Sequence, residues 1–398
     1  MKKILIITHG MDIGGAERSL ITMLTELDYS KVTVDLFLLH RSGDLLKYIP
    51  KEVNILEENI TYAQLAIPLK MVIKNHKFAI AFGRLKAKLY AKIFNYIHSI
   101  KEESYVELEY SHKYTKKYMP WISKEKYDLV VSYLTPHYFA SEKTIGQKKI
   151  AWIHTDYKYI NCDIKSEIEM WNRYDYIIAI SDAVRDSFLH KFPTLKKKII
   201  KIENTVSRKF IYQQANAFDV SEEMDESKIK LLSIGRFCHS KNFDSIPEIC
   251  SYLCKCGKNI KWYIIGFGLD ETLIRSKITE YGMEDRVIIL GKKANPYPYI
   301  KACDIYIQPS RYEGKAISVM EAQALNKPVI ITNYGTANSQ LHDRKNGIIV
   351  SLGNKECAME IGKVIENIDL QNKIIMGCKS MLFPNDFDVL YNLSEVEL

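Results

Sequence analysis

A chain of 398 residues that is 47% hydrophobic and 26% charged has the composition of an ordinary soluble globular protein. At about 150 residues per domain it has room for two or three separate cores, which excludes a disordered chain, a collagen and a disulfide-stapled miniprotein. The net charge of +8 is modest but unevenly placed: residues 65–100 hold Lys70, Lys74, Lys77, Arg84, Lys86, Lys88 and Lys92 and no Asp or Glu.

Residues 3–8 read as a first buried strand. The apolar run of four that they contain ends at Thr8-His9-Gly10, too short for a signal-peptide core. Residues 15–27 place Leu20, Ile21, Leu24 and Leu27 at helical spacing, and 32–40 form a second strand. Residues 65–120 then interrupt the pattern as a helical insertion. Leu69, Ile73, Phe78, Phe82, Leu85, Leu89 and Phe94 recur there every three to five residues with cations between them. That is the pattern of a basic amphipathic helix. It fits contact with an anionic membrane surface or a solvated face covering one domain edge; membrane contact is the expectation adopted. Strands are predicted at 127–133, 149–153, 176–180 and 199–202, with a helix over 182–190.

The polar, acidic stretch 213–228 reads as a linker, and the pattern then restarts. Strands are predicted at 229–234, 261–265, 287–290, 305–308 and 328–332, and helices over 242–256, 270–281 and 316–325. Such alternation means βα units and a mostly parallel sheet. The expected architecture is α/β, with two Rossmann-like doubly wound domains facing across a cleft. The domains are placed at 1–206 and 207–380, with a C-terminal helix over 381–398 packing back on the first. In such sheets ligands bind beyond the C-terminal ends of the strands. No apolar run approaches the ~18 residues that a membrane span needs.

Eight cysteines occur, all after residue 151, and no Cys-x-x-Cys pair is present. Cys250, Cys254 and Cys256 cluster without a histidine pair at zinc spacing, so free thiols in a reducing cytosol are expected rather than a metal site. The one Asp-x-Asp, Asp386-Phe387-Asp388, reads as a helix start.

Four places could carry chemistry. Gly14-Gly15 follows the first strand and opens a helix, where glycines let a phosphate or sugar approach the backbone; it is not a Gly-x-Gly-x-x-Gly fingerprint. His154 closes a strand. Arg236 and Lys241 straddle the loop after residues 229–234, where a guanidinium fork and an ammonium can reach one diphosphate. Glu313 and Glu321 stand eight residues apart around a helix start at Ala316–Ser318, whose backbone N–H groups make an anion site. One ligand could then place sugar hydroxyls on Glu313, phosphate on the helix start and ribose hydroxyls on Glu321.

The ordered set Gly14-Gly15, His154, Ser181-Asp182, Asn204, Arg236, Lys241 and Glu313–Glu321 resembles the retaining glycosyltransferases of family 4, which have the GT-B fold. Residues 313–325 and 328–339 are similar in particular to bacterial capsule, exopolysaccharide and O-antigen enzymes. The resemblance covers essentially the whole chain and is weakest over 65–120. It implies that Arg236 and Lys241 hold the donor diphosphate, that Glu313 binds donor-sugar hydroxyls and Glu321 the ribose, and that the backbone of Gly314, Lys315, Ala316, Ile317 and Ser318 meets the phosphates. It places His154 beside the donor sugar, gives Gly14 and Gly15 the role of making room for donor and acceptor, and adds Asn204 to the substrate-binding set. Lys315-Ala316 departs from the aromatic and second glycine common after Glu-Gly, and Asn204-Thr205 from the usual Asn-Gly; these departures bear on the donor sugar rather than the fold.

The function so implied is transfer of a sugar, with retention, from a nucleotide-diphosphate sugar (a UDP-sugar) to a lipid-linked saccharide in surface polysaccharide biosynthesis. It requires no cofactor and no metal, and takes place on the inner face of the cytoplasmic membrane. A nucleotide-sugar epimerase of similar shape and a non-catalytic GT-B partner subunit are the competing readings. No nucleic-acid-binding module is present.

Overall fold

The computed structural model describes residues 1–100, 105–383, 387, 390 and 391. It divides into two compact units, Met1–Asn204 with Asn385–Leu398 and Thr205–Pro384. Asp386 and Asp388, and most of the helix expected over 381–398, lie outside the described residues.

Unit 1 is built on β1 (Lys2–Thr8), β2 (Val32–Leu38), β3 (Asn54–Ile55), β4 (Lys126–Ser132), β5 (Ile145–Ile153), β6 (Tyr176–Ala179) and β7 (Ile199–Lys201), in the order β3-β2-β1-β4-β5-β6-β7. Unit 2 has β8 (Ile229–Ile234), β9 (Ile260–Ile265), β10 (Val287–Gly291), β11 (Ile305–Gln308), β12 (Val329–Thr332) and β13 (Ile348–Val350), in the order β10-β9-β8-β11-β12-β13. Every pairing is parallel. Strands buried on both faces read as unbroken apolar runs, as in Ile4-Leu5-Ile6-Ile7, all buried. Successive residues feed opposite faces: Leu232 and Tyr263 belong to one core of unit 2, and Leu231 and Trp262 to the other.

In each unit the strand order reverses beside the first strand, between β1 and β4 and between β8 and β11. Ligands of doubly wound sheets bind at this switch point, so the loops that matter follow β1, β4, β8 and β11.

Some expected boundaries shift. The helix expected over 242–256 begins only at Ile246. Asn242 adopts a left-handed conformation (φ 57°) between two short 3₁₀ turns, and Pro247 stands in the first helical turn, where its missing N–H costs nothing. The short strands β3 and β13 were not expected.

Among the described residues the insertion forms three α-helices rather than one: α1 (Leu69–Lys74), α2 (Phe78–Ile97) and α3 (Val106–Thr115). Ala87 and Ala91 of α2 pack with Val106 and Tyr110 of α3. Gly83 permits the approach, because a Cβ there would lie 2.8 Å from Thr115 Cγ2. On α2, Phe78, Phe82, Leu85, Leu89 and Ile93 stay exposed. Their spacing makes one row along the helix, opposite the row that packs. Not all the cations serve that surface. Arg84 donates to the carbonyls of Gln64 and Ile67, and Lys86 lies over the Tyr90 and Tyr114 rings. Lys70, Lys74, Lys88 and Lys92 are exposed.

Phe387 and Leu390 are buried. Lys2 Nζ donates to the Tyr391 carbonyl (2.8 Å) and the Asp28 N–H to the Tyr391 hydroxyl (2.7 Å). All eight cysteines are unpaired. Among the described residues no helix is long and apolar enough to cross a membrane.

Candidate functional site

The loop after β8 carries Arg236 and Lys241. Arg236 is exposed and makes no hydrogen bond or ion pair among the described residues. Lys241 runs its aliphatic stem past Gly235, whose hypothetical Cβ would sit 3.3 Å from the lysine Cδ, and its Nζ reaches Glu313 Oε1 at 2.5 Å. Glu313 stands in the loop after β11, so the switch point of unit 2 joins two of the expected residues in one ion pair.

Glu313 is held from three sides. Ser310 Oγ donates to the same Oε1 (2.7 Å), Gln308 Nε2 donates to Ser310 Oγ (2.9 Å), and Thr336 Oγ1 donates to the Glu313 carbonyl (2.7 Å). Oε2 has no partner among the described residues. Glu321 is 1% exposed and accepts from the Tyr297 hydroxyl at 2.7 Å. Gly314 and Lys315 are half-buried between Glu313 and helix α4 (Ile317–Ala324).

One expectation needs correction. The Ala316 N–H is not available to an anion: it donates to Gln340 Oε1 at 2.7 Å. Gln340 lies 24 residues on, and its amide reaches back across the helix start. The N-terminus of α4 otherwise has no side-chain cap, which leaves Ile317 and Ser318 as its anion-facing N–H groups.

Three features of this site went unanticipated. Arg311 forks onto Asp244 (3.0 and 2.8 Å), donates to the His239 carbonyl (2.7 Å), and its backbone N–H bonds the Ser240 carbonyl (2.8 Å). It therefore ties the Lys241 loop to the Glu313 loop. Burial pushes the Asp244 carboxyl up, but the Arg311 hydrogen bonds and charge outweigh it and hold the pKa below the ordinary value. Gly266 and Gly268, after β9, let two backbones meet: a Cβ would fall 1.9 Å from the Gly235 oxygen and 2.3 Å from the Phe237 oxygen. The glycine pair after an apolar strand was the available signal. Tyr334 buries its hydroxyl without a partner among the described residues; burial first, then the charge of Glu313, push the phenol up, so it stays a donor.

Unit 1 assembles a second group. His154 follows β5, and its ring lies 4.5 Å from that of Tyr133. The Tyr133 hydroxyl donates to Ser19 Oγ (3.1 Å), which donates to Asn204 Oδ1 (2.8 Å). Asn204 and His154 are thus joined through Ser19 and Tyr133. Gly14 caps the helix Gly15–Glu26 in ordinary extended backbone, so the turn itself does not demand glycine. Ser181 is a helix cap, accepting from the Val184 N–H.

His154 belongs to a buried set that sequence spacing hid. The His9 and His112 rings lie 5.5 Å apart, tilted by 50°, and a proton on either His9 or His154 would be felt at His137. Burial drives His154 down to about 3 and, with His40, His9 down to about 4. Burial drives His112 and His137 well below the ordinary value, so all four are neutral. Nearby, burial raises Glu109 to about 7, and burial plus the charge of Glu109 raises Glu167 to about 8. No group of three or more His, Cys, Asp or Glu is arranged to hold a metal among the described residues.

The switch point of the second doubly wound unit thus carries a Lys–Glu pair, an exposed arginine and a helix start. Residues 214–380 match the family described as "Glycosyl transferases group 1". The fold is GT-B: the structure of Anabaena HepE in complex with UDP and glucose superposes with a TM-score of 0.67 over 100% of both chains, at 18% identity. Among curated relatives, a poly(ribitol-phosphate) alpha-N-acetylglucosaminyltransferase of Staphylococcus aureus is 24% identical over 50% of this chain and 38% of its own. An N-acetylgalactosamine-N,N'-diacetylbacillosaminyl-diphospho-undecaprenol 4-alpha-N-acetylgalactosaminyltransferase of Campylobacter jejuni is 25% identical over 54% of this chain and 52% of its own. The chain thus spans about half the length of these relatives.

Proposed function

We propose that this protein is a retaining glycosyltransferase that moves a sugar from a UDP-sugar to a lipid-linked saccharide in surface polysaccharide biosynthesis. The observation that carries the reading is the Lys241–Glu313 pair at the switch point of unit 2, beside Arg236 and the start of α4. As the glycosidic bond to the diphosphate breaks, negative charge grows on the leaving phosphate and positive charge on the anomeric carbon. Arg236, Lys241 and the Ile317 and Ser318 N–H groups act on the first of these. Glu313 takes sugar hydroxyls, and Glu321, steadied by Tyr297, takes the ribose. His154, uncharged, offers its imidazole to a sugar hydroxyl. Gly14 and Gly15 leave room for donor and acceptor, and Asn204 joins the substrate-binding set.

Retention follows in this reading from attack on the face that the diphosphate leaves, with a phosphate oxygen taking the acceptor proton. The cations do the neutralising, so no metal ion or cofactor is assigned a step. The lipid-linked acceptor is drawn from the Campylobacter relative, whose name specifies a diphospho-undecaprenol saccharide. A peripheral place on the inner face of the cytoplasmic membrane is drawn from the exposed apolar row of α2 with Lys70, Lys74, Lys88 and Lys92 beside it.

The test is transfer from a panel of UDP-sugars to a polyprenyl-diphosphate saccharide, with the product anomer read by NMR and EDTA present in parallel. Glu313→Ala is expected to abolish transfer in a chain that still folds; near-normal turnover refutes the assignment. Interconversion of the sugar without acceptor would mark an epimerase, and failure to bind any nucleoside diphosphate a non-catalytic subunit. Sedimentation with anionic liposomes tests the membrane contact, and indifference to lipid charge refutes it.

A further inference from the structure

Below the Lys241–Glu313 pair runs a buried hydrogen-bonded line that no step above uses. The Tyr306 hydroxyl donates to Gln308 Oε1 (2.7 Å), Gln308 Nε2 to Ser310 Oγ (2.9 Å), and Ser310 Oγ to Glu313 Oε1 (2.7 Å). Tyr306, Gln308 and Ser310 are all 0% exposed. Ser310 is fixed in place by its carbonyl, which accepts from Thr332 Oγ1 at 2.6 Å.

The direction of this line follows from charge. A serine hydroxyl has one proton. Between an amide and a carboxylate, the carboxylate is the stronger acceptor, so the Ser310 proton goes to Glu313. Gln308 must then present its NH₂ to Ser310 and its carbonyl oxygen to Tyr306, and the Tyr306 proton is committed in turn. With Lys241 at 2.5 Å on the same oxygen, Oε1 takes two donors. Oε2 takes none among the described residues.

We propose that Ser310 and Gln308 are positioning residues for the donor sugar: they lock the Glu313 carboxylate in one rotation so that Oε2 alone accepts from the sugar hydroxyls. The proposal rests on the reading of Glu313 as a sugar-binding group. A carboxylate held only by a lysine can swing about its terminal torsion, which is broad. The serine supplies the second, angularly fixed point, and the buried glutamine keeps the serine from turning.

The two claims separate because UDP lacks the sugar. Calorimetry on the full chain measures UDP and whichever of UDP-glucose, UDP-galactose and UDP-N-acetylglucosamine the unaltered protein binds most tightly. Ser310→Ala is expected to weaken the UDP-hexose about 10-fold, the effect of losing one hydrogen bond to a charged group, and to leave UDP within about 2-fold, with the thermal midpoint as a check on folding. Ser310→Thr keeps the hydroxyl and is expected to restore the UDP-hexose. Gln308→Glu gives Ser310 a rival carboxylate and is expected to repeat the loss in part. Ser310→Ala indistinguishable from the unaltered protein, or an equal weakening of UDP and UDP-hexose, overturns the proposal while leaving the function standing. Failure of the unaltered chain to bind UDP overturns the reading of the site and the proposal with it.

Discussion

Unit 1 is expected to be most stable near pH 6.5 and to lose stability on either side of it. His9, His112, His137 and His154 are buried and neutral, with folded pKa values depressed from about 6.5. Between those values the unfolded chain holds protons that the folded chain lacks, so stability falls as pH drops below about 6.5. Glu109 and Glu167 act oppositely. Their folded pKa values are raised to about 7 and about 8 from 4.5, so the stability they add is full below about pH 4.5 and fades as pH rises through 7 and 8. From pH 4.5 to 6.5 four histidines oppose two carboxyls, a net of about two protons. At about 1.4 kcal/mol per proton per pH unit, the slope is up to about 2.7 kcal/mol per unit. Moving from pH 6.5 to 5 then removes up to about 4 kcal/mol, a large share of the 5–15 kcal/mol typical of a folded domain. Trp121, Trp152 and Trp171 lie in unit 1 and Trp262 in unit 2, so a Trp262→Phe background makes tryptophan fluorescence report on unit 1 alone. Urea melts at half-unit steps from pH 4.5 to 8.5 should peak near pH 6.5. In His112→Phe, which keeps an aromatic ring against Phe139 (centroids 4.6 Å apart), the acid slope should fall by about one proton. A flat midpoint between pH 5 and 6.5, or stability rising on acidification there, refutes the reasoning.

Arg236 and Lys241 should part company: Arg236→Ala should lower kcat about 100-fold with an unchanged urea midpoint, because the residue is exposed and has no partner among the described residues. Lys241→Ala should lower both, because it leaves Glu313 in a half-buried site without its cation; steady-state transfer and urea melts decide. Arg311→Ala should weaken UDP and cost about 2 kcal/mol through loss of the fork to Asp244, and Arg311→Lys should recover less than half of either by calorimetry and denaturation. Gly268→Ala should cost at least about 2 kcal/mol, since its Cβ would stand 2.3 Å from the Phe237 oxygen; a neutral melt would mean that the two loops can separate. On the insertion, Phe82→Asp should abolish sedimentation with anionic liposomes and leave transfer to a soluble acceptor unchanged.

The long strands were legible because burial on both faces leaves an unmistakable apolar run, as at Ile4–Ile7. Strands β3 and β13, two and three residues long, are too short to carry a period. The helix over 242–256 was misplaced because Asn242 takes a left-handed turn that composition does not announce. In the site, Lys241, Glu313 and Glu321 stood out through residue type and their place after strands. Gln340 could not, because its amide meets Ala316 only through folding. The four histidines are scattered over 146 positions of sequence, and only folding brings the loops after β1, β4 and β5 together with α3. Arg311 sat in plain view two residues before Glu313, yet its partners lie on another loop.

Phe387, Leu390 and Tyr391 belong to unit 1, where Tyr391 meets Lys2 and Asp28, so that unit is split in the order of synthesis. A ribosome makes all of unit 2 before it makes these contacts. The second unit can therefore mature while the first, although translated earlier, still waits for its closing piece.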